Sequence, residues 1–352
     1  VIEPPDPYRW LEDPDSPVTM AWVAEQNRRS EAFLSAIPSR DAIRDRLTAL
    51  WNYERCSPPA KYGDWYFFSK NNGLQPQAVL YKSRALDGPA EVLIDPNVLS
   101  EDGTVALTAT SVSEDGRWLA YALSASGSDW MTWRVRDVAS GVDLPDEVQW
   151  SKFSGASWAH DGSGFYYSGY DPPAGDDLFT GVNKHHKVLF YSVGVQESRS
   201  PGVVFAMPSE PDWLFSADVT DDGRWLVITQ SEGTNREKRI FLQDLTRPGA
   251  PVVPFLDRFD AAYAVVSNDG DVFHVWTDHD APRGRLVAIA VGQPDPSLWT
   301  TVIAEAAGRD VLSSVMRVGD CWVAIWRIDA HEQIVVHARD GSRLRDVPLP
   351  AL

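Results

Sequence analysis

Cysteine is nearly absent from this chain of 352 residues. Cys56 and Cys321 are its two thiols, far apart and in no C-x-x-C or Cys/His spacing, which excludes a disulfide framework and leaves no metal site of zinc type. Basic residues are outnumbered, 32 Lys and Arg against 50 Asp and Glu, and the formal net charge of −18 opposes binding to phosphate backbones or anionic lipid. Nucleic acid and membrane are therefore not expected as partners. No apolar run reaches the ~20 residues of a membrane-spanning helix, and no signal peptide is expected at the start. The chain opens on Val1 rather than Met, which leaves the compartment open between cytoplasm and periplasm. No Gly-rich loop follows a strand and opens a helix, so no nucleotide or other cofactor is expected.

What the chain does have is one turn written six times. The copies are Tyr62-Gly63-Asp64-Trp65, Glu114-Asp115-Gly116-Arg117-Trp118, His160-Asp161-Gly162-Ser163, Asp221-Asp222-Gly223-Arg224-Trp225, Asn268-Asp269-Gly270-Asp271 and Val318-Gly319-Asp320-Cys321-Trp322. Each runs into a β-branched and aromatic strand, at a period of about fifty residues. Asp-Gly supplies the positive-φ positions of a tight hairpin. A second apolar run follows each copy, as in Trp133-Arg134-Val135-Arg136-Asp137 and Arg239-Ile240-Phe241-Leu242. Each unit then has room for about four strands, one propeller blade. A β-sandwich or solenoid is the alternative, but sandwich strands would not repeat one turn at a fixed interval. Many of the fifteen tryptophans fall in the strands after the turns, where large flat rings can fill the wedge between adjacent sheets.

Residues 1–55 follow another period and form a helical arm. Ser16-Pro17 sets a cap with proline at the first helical position, and Val18, Trp22, Phe33 and Ile37 recur up to Pro38. Ser39 caps a second stretch with Ile43, Leu47, Leu50 and Trp51 on one face. Pro58-Pro59 marks the change to β structure, so that residues 56–352 form the propeller.

Chemistry is sparse. Gly155-Ala156-Ser157-Trp158-Ala159 lacks the final glycine of a serine-hydrolase elbow and leads into another strand, which makes Ser157 a blade residue rather than a nucleophile. His185-His186, with Asp176 and Asp177 nearby, could attract a metal, but neighbours on a strand point to opposite faces, and a polar loop insertion is the better account. Asp278-His279-Asp280 resembles part of a charge relay and reads as a solvated hairpin before Pro282. On these grounds alone the chain is an acidic propeller with a helical arm and no catalytic residue.

Several stretches resemble the prolyl oligopeptidases, serine peptidases that cleave short peptides after proline. Asp6-Pro7-Tyr8-Arg9-Trp10-Leu11-Glu12-Asp13 is similar to the N-terminal signature of that family. Gly73-Leu74-Gln75-Pro76-Gln77-Ala78-Val79-Leu80-Tyr81, Leu93-Ile94-Asp95-Pro96-Asn97, Ser126-Gly127-Ser128-Asp129-Trp130 and Lys184-His185-His186-Lys187-Val188-Leu189-Phe190-Tyr191 match further segments, in order. The resemblance implies a seven-bladed propeller over an α/β-hydrolase domain, with the N-terminal helices packed on the hydrolase. About six blades are present, and the last blade and the Ser, Asp and His of the triad would fall beyond Leu352. It also implies two substrate contacts, Phe153 in Lys152-Phe153-Ser154 and Leu214 after Trp213, and partners in proline-containing oligopeptides and the C-terminal hydrolase domain of the same enzyme. The expected function is gating of substrate access without catalysis by this part. The alternative is a stand-alone propeller that binds peptides or proteins.

Overall fold

The computed structural model describes residues 6–173, 181–194 and 201–350. Among them two helices precede six antiparallel sheets. Helix α1 spans Pro17–Ser35 and α2 spans Arg40–Trp51. Pro17 occupies the first helical position as expected, but the side chains of Ser16 and Ser39 make no capping hydrogen bond. Helix α1 also stops short of Pro38, with Ala36 already past its last turn.

Blade 1 holds β1 (Arg55–Cys56), β2 (Ala60–Tyr62), β3 (Trp65–Asn71), β4 (Val79–Ser83) and β5 (Glu91–Ile94). Both β1 and β2 pair with β3, because Pro58 and Pro59 offer no N–H to the ladder and break the first strand in two. Blade 2 holds β6 (Val105–Val112), β7 (Trp118–Ala125), β8 (Met131–Asp137) and β9 (Asp143–Ser151). Blade 3 holds β10 (Ala156–Trp158), β11 (Gly164–Gly169), β12 (Lys187–Ser192) and β13 (Gly202–Ala206). Blade 4 holds β14 (Trp213–Val219), β15 (Trp225–Glu232), β16 (Arg239–Asp244) and β17 (Val253–Leu256). Blade 5 holds β18 (Tyr263–Asp269), β19 (Val272–Thr277), β20 (Arg285–Ala290) and β21 (Thr300–Ile303). Blade 6 holds β22 (Val311–Val318), β23 (Cys321–Ile328), β24 (His331–Ala338) and β25 (Arg343–Val347). Every blade pairs its strands in chain order. All six expected turns join the strand that opens a blade to the next one, and all six second apolar runs are the strand after that.

The turn wiring follows from side-chain chemistry. In blade 2 the Asp115 carboxylate accepts the Arg117 N–H at 3.0 Å and the Ser113 hydroxyl at 2.6 Å, and that hydroxyl accepts the Trp118 N–H at 2.9 Å. Blade 4 repeats the circuit with Asp222, Arg224, Thr220 and Trp225. Gly116 has φ +72°, and a Cβ there would lie 2.4 Å from the Tyr62 carbonyl oxygen. Any side chain at that position would be both strained and sterically blocked.

The chain divides into two compact units. The first takes both helices and most of blade 1. In it, the buried Thr19 hydroxyl donates to the Trp10 carbonyl at 3.1 Å, Trp10 meets Trp22 edge to face, and the Arg55 guanidinium lies over Trp51 and Tyr53. Val18, Met20 and Phe33 of α1 and Ile43, Leu47 and Trp51 of α2 remain exposed. Helical tryptophans are thus open to solvent, unlike those of the blades.

The second unit holds blades 2 to 6, and its core lies between sheets. Successive residues of a strand face opposite sides. Trp225 and Val227 of β15 therefore join a cluster with Phe273, Val275, Val287 and Ile289 of blade 5, whereas Leu226 and Ile228 join Tyr166 and Val188 of blade 3. Phe165 and Tyr167 pack against Trp133 and Val135 of blade 2 in the same way. Indole N–H groups stitch the junctions: Trp158 to the Ser111 carbonyl at 3.0 Å, Trp225 to Gly270 at 3.0 Å and Trp276 to Leu312 at 2.8 Å.

Trp225→Phe keeps a ring and loses the bond to Gly270, so unfolding in urea should show a loss of about 1 kcal/mol. Trp225→Ala should lose about 3–5 kcal/mol. Equal losses for the two variants would show that the N–H, not the ring, holds the blade 4 to blade 5 junction.

Candidate functional site

Because blades 2 to 6 are four-stranded antiparallel meanders, the connection that leaves each of them starts at the sheet end away from its own Asp-Gly turn. Phe153 sits there, between β9 and β10, with 72% of its surface exposed and φ of +51°. Leu214 is the second residue of β14, half-buried and paired in register with Ser231. A left-handed conformation costs a residue with a Cβ about 1 kcal/mol or more. Trp150, three residues earlier, also has positive φ, at +64°.

The segment around Phe153 is tied down on both sides. The Trp150 carbonyl accepts the Tyr170 N–H at 2.9 Å, and a Cβ on Gly169 would lie 2.8 Å from the same oxygen. The Ser151 hydroxyl donates to the Ser168 carbonyl at 2.8 Å and accepts the Trp133 indole N–H at 3.2 Å. Lys152 places its ammonium 4.0 Å from the Trp130 ring centroid. The Ser154 hydroxyl accepts the Ser168 N–H at 2.8 Å.

Behind this segment runs a line of aromatic rings that sequence reasoning missed. Trp130 meets Trp150 and Tyr170 edge to face at 5.6 and 6.0 Å, Tyr170 meets His186 at 4.6 Å, and His186 lies nearly parallel to Phe215 at 6.4 Å. His186 is 4% exposed and accepts the Phe215 N–H at Nδ1 at 2.9 Å, so the neutral ring carries its hydrogen on Nε2. Among the described residues that Nε2 has no hydrogen-bond partner. Burial lowers the His186 pKa from 6.5 to about 4. The expectation of a polar loop insertion at His185-His186 is therefore corrected: His186 is a core residue between blades 3 and 4. His185, exposed with φ +61°, donates its N–H to the Pro211 carbonyl at 2.7 Å. The one available signal was the placement of His186 two residues ahead of the apolar run Val188-Leu189.

The remaining chemical candidates resolve as structure. The Ser157 hydroxyl accepts the Val219 N–H at 2.8 Å and joins β10 to β14. Asp278-His279-Asp280 does lie in a hairpin, between β19 and β20, but only Asp280 is solvated: Asp278 accepts the Ala262 N–H at 2.7 Å and pairs with Arg236 at 3.0 Å, while His279 packs on Trp299. Asp176 and Asp177 lie outside the described residues, among which no group of His, Cys, Asp and Glu could hold a metal ion. A cleft of about 380 Å³ between blades 4 and 5 is lined by Asp218, Thr229, Val265 and Ser267, among others. Asp218 is open to solvent, yet the cleft walls crowd it enough to raise its carboxyl pKa.

The family model for the prolyl oligopeptidase N-terminal β-propeller domain matches residues 3–352. The prolyl endopeptidase of Elizabethkingia meningoseptica is 36% identical over 345 residues, covering 98% of this chain and 48% of that protein. A solved structure from a study of two prolyl endopeptidases superposes with a TM-score of 0.88 at 28% identity, covering 98% of this chain and 50% of the other. Prolyl oligopeptidase B of Galerina marginata, bound to a 35mer hydrolysis and macrocyclization substrate, gives 0.87 at 27% identity, covering 97% and 50%. The fold is thus a six-blade β-propeller with two helices, and the chain spans about half the length of the relatives it matches.

Buried His274 shares the depressed pKa of His186, also near 4, through burial and the neighbouring Arg339. The unfolded chain takes up protons on these rings below about 6.5 and the folded chain does not until about 4. Their contribution is therefore complete above pH 6.5 and is lost as pH falls toward 4, by roughly 2–3 kcal/mol per ring. Urea midpoints of wild type and His186→Phe, compared between pH 7 and 4.5, should converge on acidification. A constant difference would show that His186 is protonated while folded.

Proposed function

The chain belongs to the prolyl oligopeptidase family, whose N-terminal β-propeller domain it contains, and from that premise we propose that it is the propeller portion of a serine peptidase that cleaves short peptides after proline. The observation that carries this reading is a match running through residues 3–352 of the chain while spanning 48% of a full-length relative. In the complete enzyme the nucleophile, base and acid would stand in an α/β-hydrolase domain C-terminal to the propeller, with Ser attack on the acyl carbon and His as proton carrier.

The propeller's part is admission and contact. A lid of rigid sheets over an acyl-transfer site keeps out folded proteins and bulk water. Phe153, exposed on a tied connection, would supply apolar contact to the peptide, and Leu214 would add a second surface. Residues 1–55 would serve as the arm that docks on the hydrolase, which suits the exposed apolar side chains of α1 and α2, and residues 56–352 as the propeller proper. The same display of Phe153, assembled within this chain alone, also suits a propeller that binds peptides without cutting them.

Residues 1–352 alone should release no product from a chromogenic peptide ending in proline. Joined in frame to a family hydrolase domain, they should cut that peptide and leave folded proteins intact. In the joined enzyme Phe153→Ala should raise KM about fivefold to tenfold with kcat little changed, the mark of lost uniform binding. Turnover by residues 1–352 alone, abolished by a serine-directed inhibitor, would overturn the division of labour.

A further inference from the structure

Phe153 is surrounded by fixed neighbours and makes none of the ties itself. Trp150, Ser151, Lys152 and Ser154 are each held by a hydrogen bond or ring contact, and a left-handed backbone turns the Phe153 ring out to solvent. Trp150, Ser151 and Ser154 are tied to backbone groups of blade 3, and Ser151 also accepts the Trp133 indole N–H of blade 2. The remaining one, Lys152, rests on Trp130, and Trp130 also braces Trp150 and Tyr170 from a different loop, between β7 and β8. One indole therefore supports both the start and the middle of the segment that presents Phe153. Strain of this kind persists where surrounding structure over-determines it, and it concentrates at ligand-contact sites.

We propose that Trp130 is a positioning residue: it touches no peptide, and sets peptide affinity by holding the Trp150–Ser154 segment so that Phe153 stays presented. The inference rests on the reading of Phe153 as a peptide contact. It deepens that reading by assigning a determinant of affinity to a neighbouring loop, and Lys152 becomes the linker between the two, its stem on the segment and its charge on the indole face.

A double-mutant cycle on residues 1–352 tests it, with a fluorescently labelled proline-containing hexapeptide as the probe and fluorescence anisotropy as the readout. Trp130→Leu should weaken binding about fivefold in the wild-type background and by little in the Phe153→Ala background, because coupled positions do not add. Trp130→Phe, which keeps a ring face and edge, should restore most of the affinity. Lys152→Met, which keeps the stem and removes the charge, should show the same dependence on Phe153, which guards against a folding defect specific to Trp130. The fall in Tm caused by Trp130→Leu should be the same in both backgrounds. An equal affinity loss in both, or a fall in Tm with no affinity loss, overturns the proposal. Unchanged affinity in Phe153→Ala removes the contact reading and this inference with it. Failure of the wild-type chain to bind the hexapeptide removes the peptide-handling reading as a whole, and the inference again falls.

Discussion

Blades 3, 4 and 5 are apolar on both faces, and neither face can be buried within the blade. That constraint shapes the rest. A strand such as β15 sends Trp225 and Val227 toward blade 5 and Leu226 and Ile228 toward blade 3, so the sheet is stable only with a neighbour on each side. Tryptophan suits the junction for two reasons. Its area fills the widening gap between twisted sheets, and its N–H can reach a carbonyl of the next blade, as Trp158, Trp225 and Trp276 do. An aliphatic side chain could meet the first requirement but not the second.

Rigid sheets permit strained connections. The segment from Trp150 to Ser154 holds two left-handed non-glycine residues, a cost that an isolated loop would relieve by refolding. It cannot do so because Ser168 of β11 grips it through both its N–H and its carbonyl. The buried His186 plays a similar part for Phe215 by accepting its N–H, and so fixes the start of β14 beside Leu214. Both candidate contacts therefore stand on elements whose neighbours set their placement, and the line of rings from Trp150 to Phe215 spans the blades between them.

Local chemistry was legible in the sequence and long-range chemistry was not. Asp115-Gly116 and Asp222-Gly223 announced their turns because the carboxylate, the hydroxyl two residues before it and the positive-φ glycine all lie within six residues. Helix α1 was legible from its proline and apolar spacing, but its end was not, and neither Ser16 nor Ser39 caps with its side chain. His186 was misread because its partners, Tyr170 and Phe215, are 16 and 29 residues away and become neighbours only once blades 3 and 4 pack. Asp278 was misread for the same reason, since its partner Arg236 belongs to another blade. Phe153 was found by resemblance alone; nothing in Lys152-Phe153-Ser154 signals a left-handed backbone or an indole beneath the lysine.

The acidic excess illustrates how composition and structure answer different questions. A charge of −18 suggests a surface tuned to cations, yet many of the aspartates have local tasks. Asp95, Asp115, Asp161, Asp222, Asp244, Asp295 and Asp340 each accept a backbone N–H two residues on. Asp269 gathers Arg317 and Arg339 of blade 6. Hydrogen bonds from Ser163 and Ser297 hold the carboxyl pKa values of Asp161 and Asp295 below the usual range, so these groups stay ionised as structural acceptors. Asp115, Asp161 and Asp222 accept in the repeated first turn of a blade, Asp244 and Asp340 in the turn before its last strand, and Asp95 and Asp295 at the start of a short 3-10 helix. The net charge therefore argues against polyanionic partners without arguing for a cationic one.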